Sequence, residues 1–195
     1  MMIELTSTPI ILMVILGVAG MIIPVINVIR KERGSSTFYG LIAFGALLLA
    51  LGYVIYRFYT DSVADAAIFS SDVLVDDGFG SFFAIAMLIV SIMAVAGSFN
   101  YMRKRSNPAI YFSLILLSSI GMVLIAFSTD LVMLFVAWEL MSIPTYILAG
   151  FNKKSSASNE AAIKYFLFGA LSSGIIIYGI SLAYGITGST NIGDV

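Results

Sequence analysis

The chain has 195 residues, of which 60% are hydrophobic and 11% charged, whereas a soluble domain of this size is about half apolar and about a quarter charged. Its net charge of −1 offers no bulk attraction to nucleic acid. It has no Cys and no His, which removes disulfides, iron–sulfur clusters and the usual haem and zinc ligands, so the chain is expected to bind no cofactor or metal of its own.

The composition predicts an all-α, polytopic transmembrane helix bundle lying in the bilayer as a single membrane domain, 1–195. Six apolar stretches are each long enough to cross a hydrocarbon core of roughly 30 Å as a helix. In chain order they cover about 8–29, 38–56, 81–99, 108–127, 129–151 and 159–185. The segment before the first, "MMIELTSTP", carries Glu4 and no basic residue, unlike the n-region of a cleaved signal. Pro24 is expected to kink or soften the first span. Between the second and third lies an external loop at about 57–80, which composition reads as a solvated connection with a turn at Asp76-Asp77-Gly78.

The connections alternate in charge. Arg30, Lys31 and Arg33 follow the first span, Arg103, Lys104 and Arg105 the third, and Lys153 and Lys154 the fifth. The opposite side carries Asp61, Asp65, Asp72, Asp76, Asp77, Asp130 and Asp194, with Arg57 against them. The basic side is expected to be cytoplasmic, which places both ends of this chain outside. An extra or missing span would scramble this alternation.

Two ionisable groups are singled out within the spans. Glu139, in "LFVAWELMSIP", lies about 15 Å into the fifth span, close to the bilayer centre. Lys164 lies about 8 Å into the sixth, shallow enough to snorkel in part. These spans are antiparallel neighbours, so the two groups differ in depth by roughly 10 Å, too far for a direct ion pair. Ser142 and Tyr146 share the face of Glu139 and begin a polar stripe. Pro144 lacks an N–H and is expected to break the helix near the site by freeing the carbonyl of Leu140. Intramembrane carboxylates are rare and mostly mark ion or proton routes. The plainer reading is a protonated glutamate that only packs. In "FGALSSG", Gly169, Ser173 and Gly174 are read as small surfaces for helix packing.

"TDLVMLFVAWELMSIPTYILAGF" followed by "NEAAIKYFLFGALSSGIIIYGISLAYGITGS" resembles the antiporter-like membrane subunits of respiratory complex I, with the second string most similar to the N-type subunit. "VDDGFGSFFA" resembles the lead into the third span of that family. The resemblance implies a proton-translocating subunit of a complex I-like dehydrogenase in a prokaryotic plasma membrane, with other membrane subunits and the lipid bilayer as partners. It implies that Glu139 is an element of the proton pathway and that Lys164 helps relay protons. The redox chemistry would be carried by a separate peripheral arm. A full member has about fourteen spans, with inverted repeats around a midplane site, so the resemblance covers only the first part of such a subunit. A membrane subunit of a multisubunit sodium/proton antiporter is the related alternative, and a non-transporting membrane scaffold the one of different class.

Overall fold

The computed structural model describes residues 7–30, 35–61, 69–70, 73–103 and 105–195, with no side-chain description for residues 61, 69 and 70. Six long helices, α1 (Thr8–Ile29), α2 (Ser36–Asp61), α3 (Gly78–Met102), α4 (Pro108–Phe127), α5 (Leu131–Ala149) and α6 (Ser156–Thr187), make an all-α bundle. Each is long and apolar enough to cross a membrane. A two-residue antiparallel ladder joins β1 (Phe69–Ser70) to β2 (Val75–Asp76). At 26 and 32 residues, α2 and α6 measure about 39 and about 48 Å, longer than the roughly 30 Å core, so both extend past it or tilt.

The centre of the bundle is α4. It packs against α1, α2, α3 and α5, and most of its side chains are buried, among them Phe112, Leu116 and Phe127. Its serines stitch the bundle together. Ser113 donates to the carbonyl of Gly20 on α1, Ser118 to the carbonyl of Met141 on α5 at 3.0 Å, and Ser119 to Ser91 on α3 at 2.9 Å. With lipid as apolar as leucine, such small polar contacts and close packing replace the hydrophobic drive between helices.

Neither internal proline ends its helix, and side-chain bonds meet the turn at each. Pro24 has no N–H for the carbonyl of Gly20, four residues earlier, and Ser113 supplies a hydroxyl to that carbonyl. The expected break at Pro144 is likewise absent, and α5 runs on to Ala149. Ser118 bonds the adjacent Met141 carbonyl, and Thr145 Oγ1 donates to the Ser142 carbonyl at 2.7 Å. Neighbouring side chains thus hold the turn that the proline weakens.

The external connection also departs from the solvated loop. Of the expected loop, 57–80, the helix α2 takes the start through Asp61, and residues 62–68 and 71–72 lie outside the described residues. The last part is packed, with Leu74 and Asp76 buried. Asp76 accepts from the Thr8 N–H at 2.7 Å, satisfying the positive N-terminal end of α1 from 68 residues away, and it pairs with Arg57 at 3.5 Å. Asp77 caps α3 through the Gly80 N–H at 2.7 Å, and Asp130 caps α5 through the Met133 N–H at 2.9 Å. The chain beyond α6 returns to this same end, where the Leu131 N–H donates to the Thr190 carbonyl at 2.8 Å and the Ile192 N–H to the Thr129 carbonyl at 2.9 Å. Asp76, Asp77 and Asp130 are therefore structural acceptors at the starts of α1, α3 and α5.

Candidate functional site

Glu139 stands at the middle of α5, eight residues or about 12 Å from its first residue. The opposite side of this stretch is clamped to α4. A Cβ on Gly121 would lie 2.7 Å from the carbonyl oxygen of Ala137 and 2.8 Å from Cα of Met141, so only glycine permits the helices to meet this closely. Ala137 and Met141 are each two residues from Glu139, or about 200° around the helix. The backbone contact therefore turns the carboxyl away from α4 and towards α6, where Ser173 donates a hydrogen bond to its Oε1. Glu139 is half-buried in this seam.

The seam between α5 and α6 is antiparallel and built from pairs of small and large residues. Tyr146 sets its ring edge-on to Tyr165, with centroids 4.8 Å apart. Gly169 leaves room for its hydroxyl, and a Cβ there would collide with the phenol. Thr145 and Tyr165 share a hydroxyl contact at 3.3 Å. Gly150 faces Ala162 one level further on. The polar line read from the sequence on α5 is continued by residues of α6: Tyr165, Gly169 and Ser173 recur every four residues and so face α5 together. Ser173, expected only to pack, is the hydrogen-bond partner of Glu139.

Lys164 is placed elsewhere. It precedes Ser173 by nine residues, about 13 Å along α6 and close to half a turn around it, so it points away from the Glu139 seam. Its ammonium pairs with Glu160 one turn earlier, and both side chains are more than 60% exposed in this chain. Glu160 is not among the candidate residues of the sequence, although its i, i+4 spacing ahead of a lysine is the favourable helical order. The structure brings Glu139 together with Ser173 and Lys164 together with Glu160, and it does not join the two pairs.

Outside the spans, Asp130 is held by three donors. Burial pulls the pKa of its carboxyl up, but hydrogen bonds from Thr190 and from the backbone N–H groups of Met133 and Val132 outweigh it, leaving the pKa below the ordinary value. Among the described residues, no three His, Cys, Asp or Glu side chains gather as a metal site would require.

Residues 128–195, which include both pairs, match the family described as NADH:quinone oxidoreductase/Mrp antiporter, TM. The NADH-quinone oxidoreductase subunit N of Trichlorobacter lovleyi is 39% identical over 185 residues, 93% of this chain and 36% of that protein. The chain is a relative of the N-type antiporter-like membrane subunits. The F(420)H(2) dehydrogenase subunit N of Methanosarcina mazei is 36% identical over 122 residues, 63% of this chain and 25% of that protein. Among solved structures, a chain of the Thermus thermophilus respiratory complex I with bound aureothin superposes with a TM-score of 0.76 at 26% identity, covering 93% of this chain and 38% of that one. The chain thus spans little more than a third of the length of these relatives.

Proposed function

We propose that this chain forms part of a proton-translocating membrane subunit of a respiratory-type dehydrogenase, and that Glu139 takes up and releases the proton. The observation that carries this reading is the carboxyl at mid-span, half-buried between α5 and α6 and hydrogen-bonded to Ser173. A serine hydroxyl both donates and accepts. It donates to the ionised carboxylate and, after rotation, accepts from the protonated form. Ser173 therefore holds Glu139 in place through both states and gives a proton a route along the seam. The Glu160–Lys164 pair lies nearer the basic end of α6 on the face turned away from the seam, so Lys164 is given only a secondary, relaying part.

The electrons are carried by other subunits, in keeping with a chain that has neither Cys nor His. The dehydrogenase named for the relatives uses NADH in one case and F(420)H(2) in the other, so the donor is a property of the assembly and not of this chain. Other membrane subunits of that assembly and the surrounding lipid are its partners. The basic ends of α1, α3 and α5 face the cytoplasm by the distribution of Arg and Lys. A sodium/proton antiporter subunit is the second reading, favoured by the breadth of the matching family.

The test is Glu139→Gln in the complete, assembled complex reconstituted into vesicles. Glutamine keeps the volume and accepts the Ser173 hydrogen bond but does not ionise. The expected result is normal assembly with at least about a tenfold loss of protons moved per electron pair, the loss set by a group whose removal withdraws acid–base transfer. Wild-type pumping in a fully assembled variant overturns the proposal.

A further inference from the structure

We propose that a cleft at the basic end of the bundle is a binding site for a phosphodiester, the headgroup of an anionic lipid. The cleft has a volume of about 790 Å³ and opens where the ends of α1 and α3 meet the starts of α2 and α4. Its lining is amphiphilic in the way a lipid requires. Phe99, Met102 and Pro108 contribute apolar lining, and Arg103, Arg105 and Asn100 contribute donors. No acidic side chain lines it among the described residues. Among those residues neither arginine has a carboxylate partner, and Arg105 rests its guanidinium 4.1 Å over the ring of Tyr101. A planar guanidinium stacked on an aromatic is pre-set for a phosphate oxygen at little further entropic cost.

Two further polar features have unused capacity. Ser36, in the lining, has its Oγ shielded from solvent with no hydrogen-bond partner among the described residues. A shielded hydroxyl without a partner is costly and calls for an acceptor. Asn107, in the left-handed conformation at φ 60°, precedes α4 without a side-chain cap bond, so the positive end of the central helix is uncapped by its own residue. The opposite helix wall is firm. Tyr39 is fully buried and donates to Asn27 at 2.9 Å, and Asn27 also lines the cleft. Basic pockets between transmembrane helices, at headgroup level, are where anionic lipids lodge. The apolar part of the lining favours a lipid over free phosphate as the source of the anion.

The experiment uses the intact protein in its native assembly, reconstituted in phosphatidylcholine nanodiscs with spin-labelled phosphatidylglycerol or spin-labelled phosphatidylcholine as the probe. The wild type is expected to immobilise the phosphatidylglycerol probe preferentially. The double substitution Arg103→Ala and Arg105→Ala should reduce that preference about thirtyfold, given what each basic residue contributes near a membrane surface. Lys153→Ala with Lys154→Ala removes the same charge from the same end, outside the cleft, and should leave the preference nearly unchanged. Asn100→Leu keeps every charge, serves where the arginine variant fails to fold, and should also weaken the preference. Displacement of the probe by inorganic phosphate would keep the anion site and assign it to a soluble ligand, overturning the lipid assignment. Equal immobilisation of both probes by the wild type, or an equal loss in the Lys153/Lys154 variant, would overturn the site.

Discussion

Helices α4 and α6 are both apolar and both long enough to span a bilayer, yet the bundle treats them in opposite ways. Most of α4 is buried, and it sends serine hydroxyls to three neighbouring helices. No residue of α6 is buried, and it packs against α5 alone among the major helix contacts. On the proposed function, the difference separates scaffold from chemistry. The α4 contacts fix the backbone of α5 from behind, and the weaker α5–α6 seam holds the one mid-span carboxyl on its open side. A hydroxyl that is locked into two or three partners, as Ser119 is, maintains geometry. One facing a single carboxylate, as Ser173 does, would be free to turn with a proton in the proposed function.

The contrast is broken most severely at Gly121. Gly121→Leu inserts a side chain where the backbone of α5 already stands, and overpacking of that kind costs about 1–3 kcal/mol or more when neither partner is a flexible side chain. The expected outcome is a steep loss of folded, assembled protein, measured by thermal unfolding in detergent. An equally large substitution at Gly174, where a Cβ meets nothing within 4 Å in this chain, serves as the comparison and should be far milder.

Ser173→Ala sharpens the contrast from the α6 side. It removes the donor to Glu139 and leaves α4 untouched, so stability should fall by no more than the roughly 0.6–1.7 kcal/mol typical of a hydrogen bond between membrane helices. Pumping should fall several-fold with a shifted pH profile, and Ser173→Thr, which restores the hydroxyl, should recover it. Loss of stability without any change in the pH profile would reduce Ser173 to a packing residue.

Asp130 gives a smaller, purely structural effect. Its folded pKa is lowered, so its contribution is present above the unfolded carboxylate value of about 3.9 and is lost as pH falls through the folded value. Thermal unfolding measured from neutral pH downwards should therefore show an acid limb that is flatter in Asp130→Asn. Smallest of all is Lys164→Ala. With the pair to Glu160 exposed in this chain, a surface i, i+4 pair is worth about 0.3–0.5 kcal/mol, and stability should barely change. Its effect on proton transfer should be milder than that of Glu139→Gln.

Much of this is legible in the residues. The helical bundle follows from apolar runs of spanning length, and Glu139 stands out because charge in oil is rare. The role of Ser173 is not legible, since a serine in "FGALSSG" carries no charge to distinguish packing from hydrogen bonding, and its partner lies 34 residues away on another helix. The central position of α4 is equally hidden: its pattern differs little from that of a lipid-facing helix, and only the geometry shows Ser113 and Ser118 meeting the turns that Pro24 and Pro144 weaken. Other features carry a local signal. Asp77 before "GFGS" and Asp130 before "LVML" are ordinary helix N-cap positions, and Glu160 precedes Lys164 by one turn. Topology and depth draw the eye to these charges first, and their capping and pairing roles stay behind that reading.

Infrared difference spectroscopy of the assembled complex, between its resting and turning-over states, measures the protonation of Glu139 most directly, in the carboxylic C=O stretching region. The expected result is a band that gains or loses intensity as Glu139 changes protonation, that disappears in Glu139→Gln, and that shifts in frequency in Ser173→Ala because the hydrogen bond to the carboxyl is gone. A spectrum in which Glu139→Gln removes no band from an assembled, turning-over complex would contradict a proton-carrying role for this carboxyl.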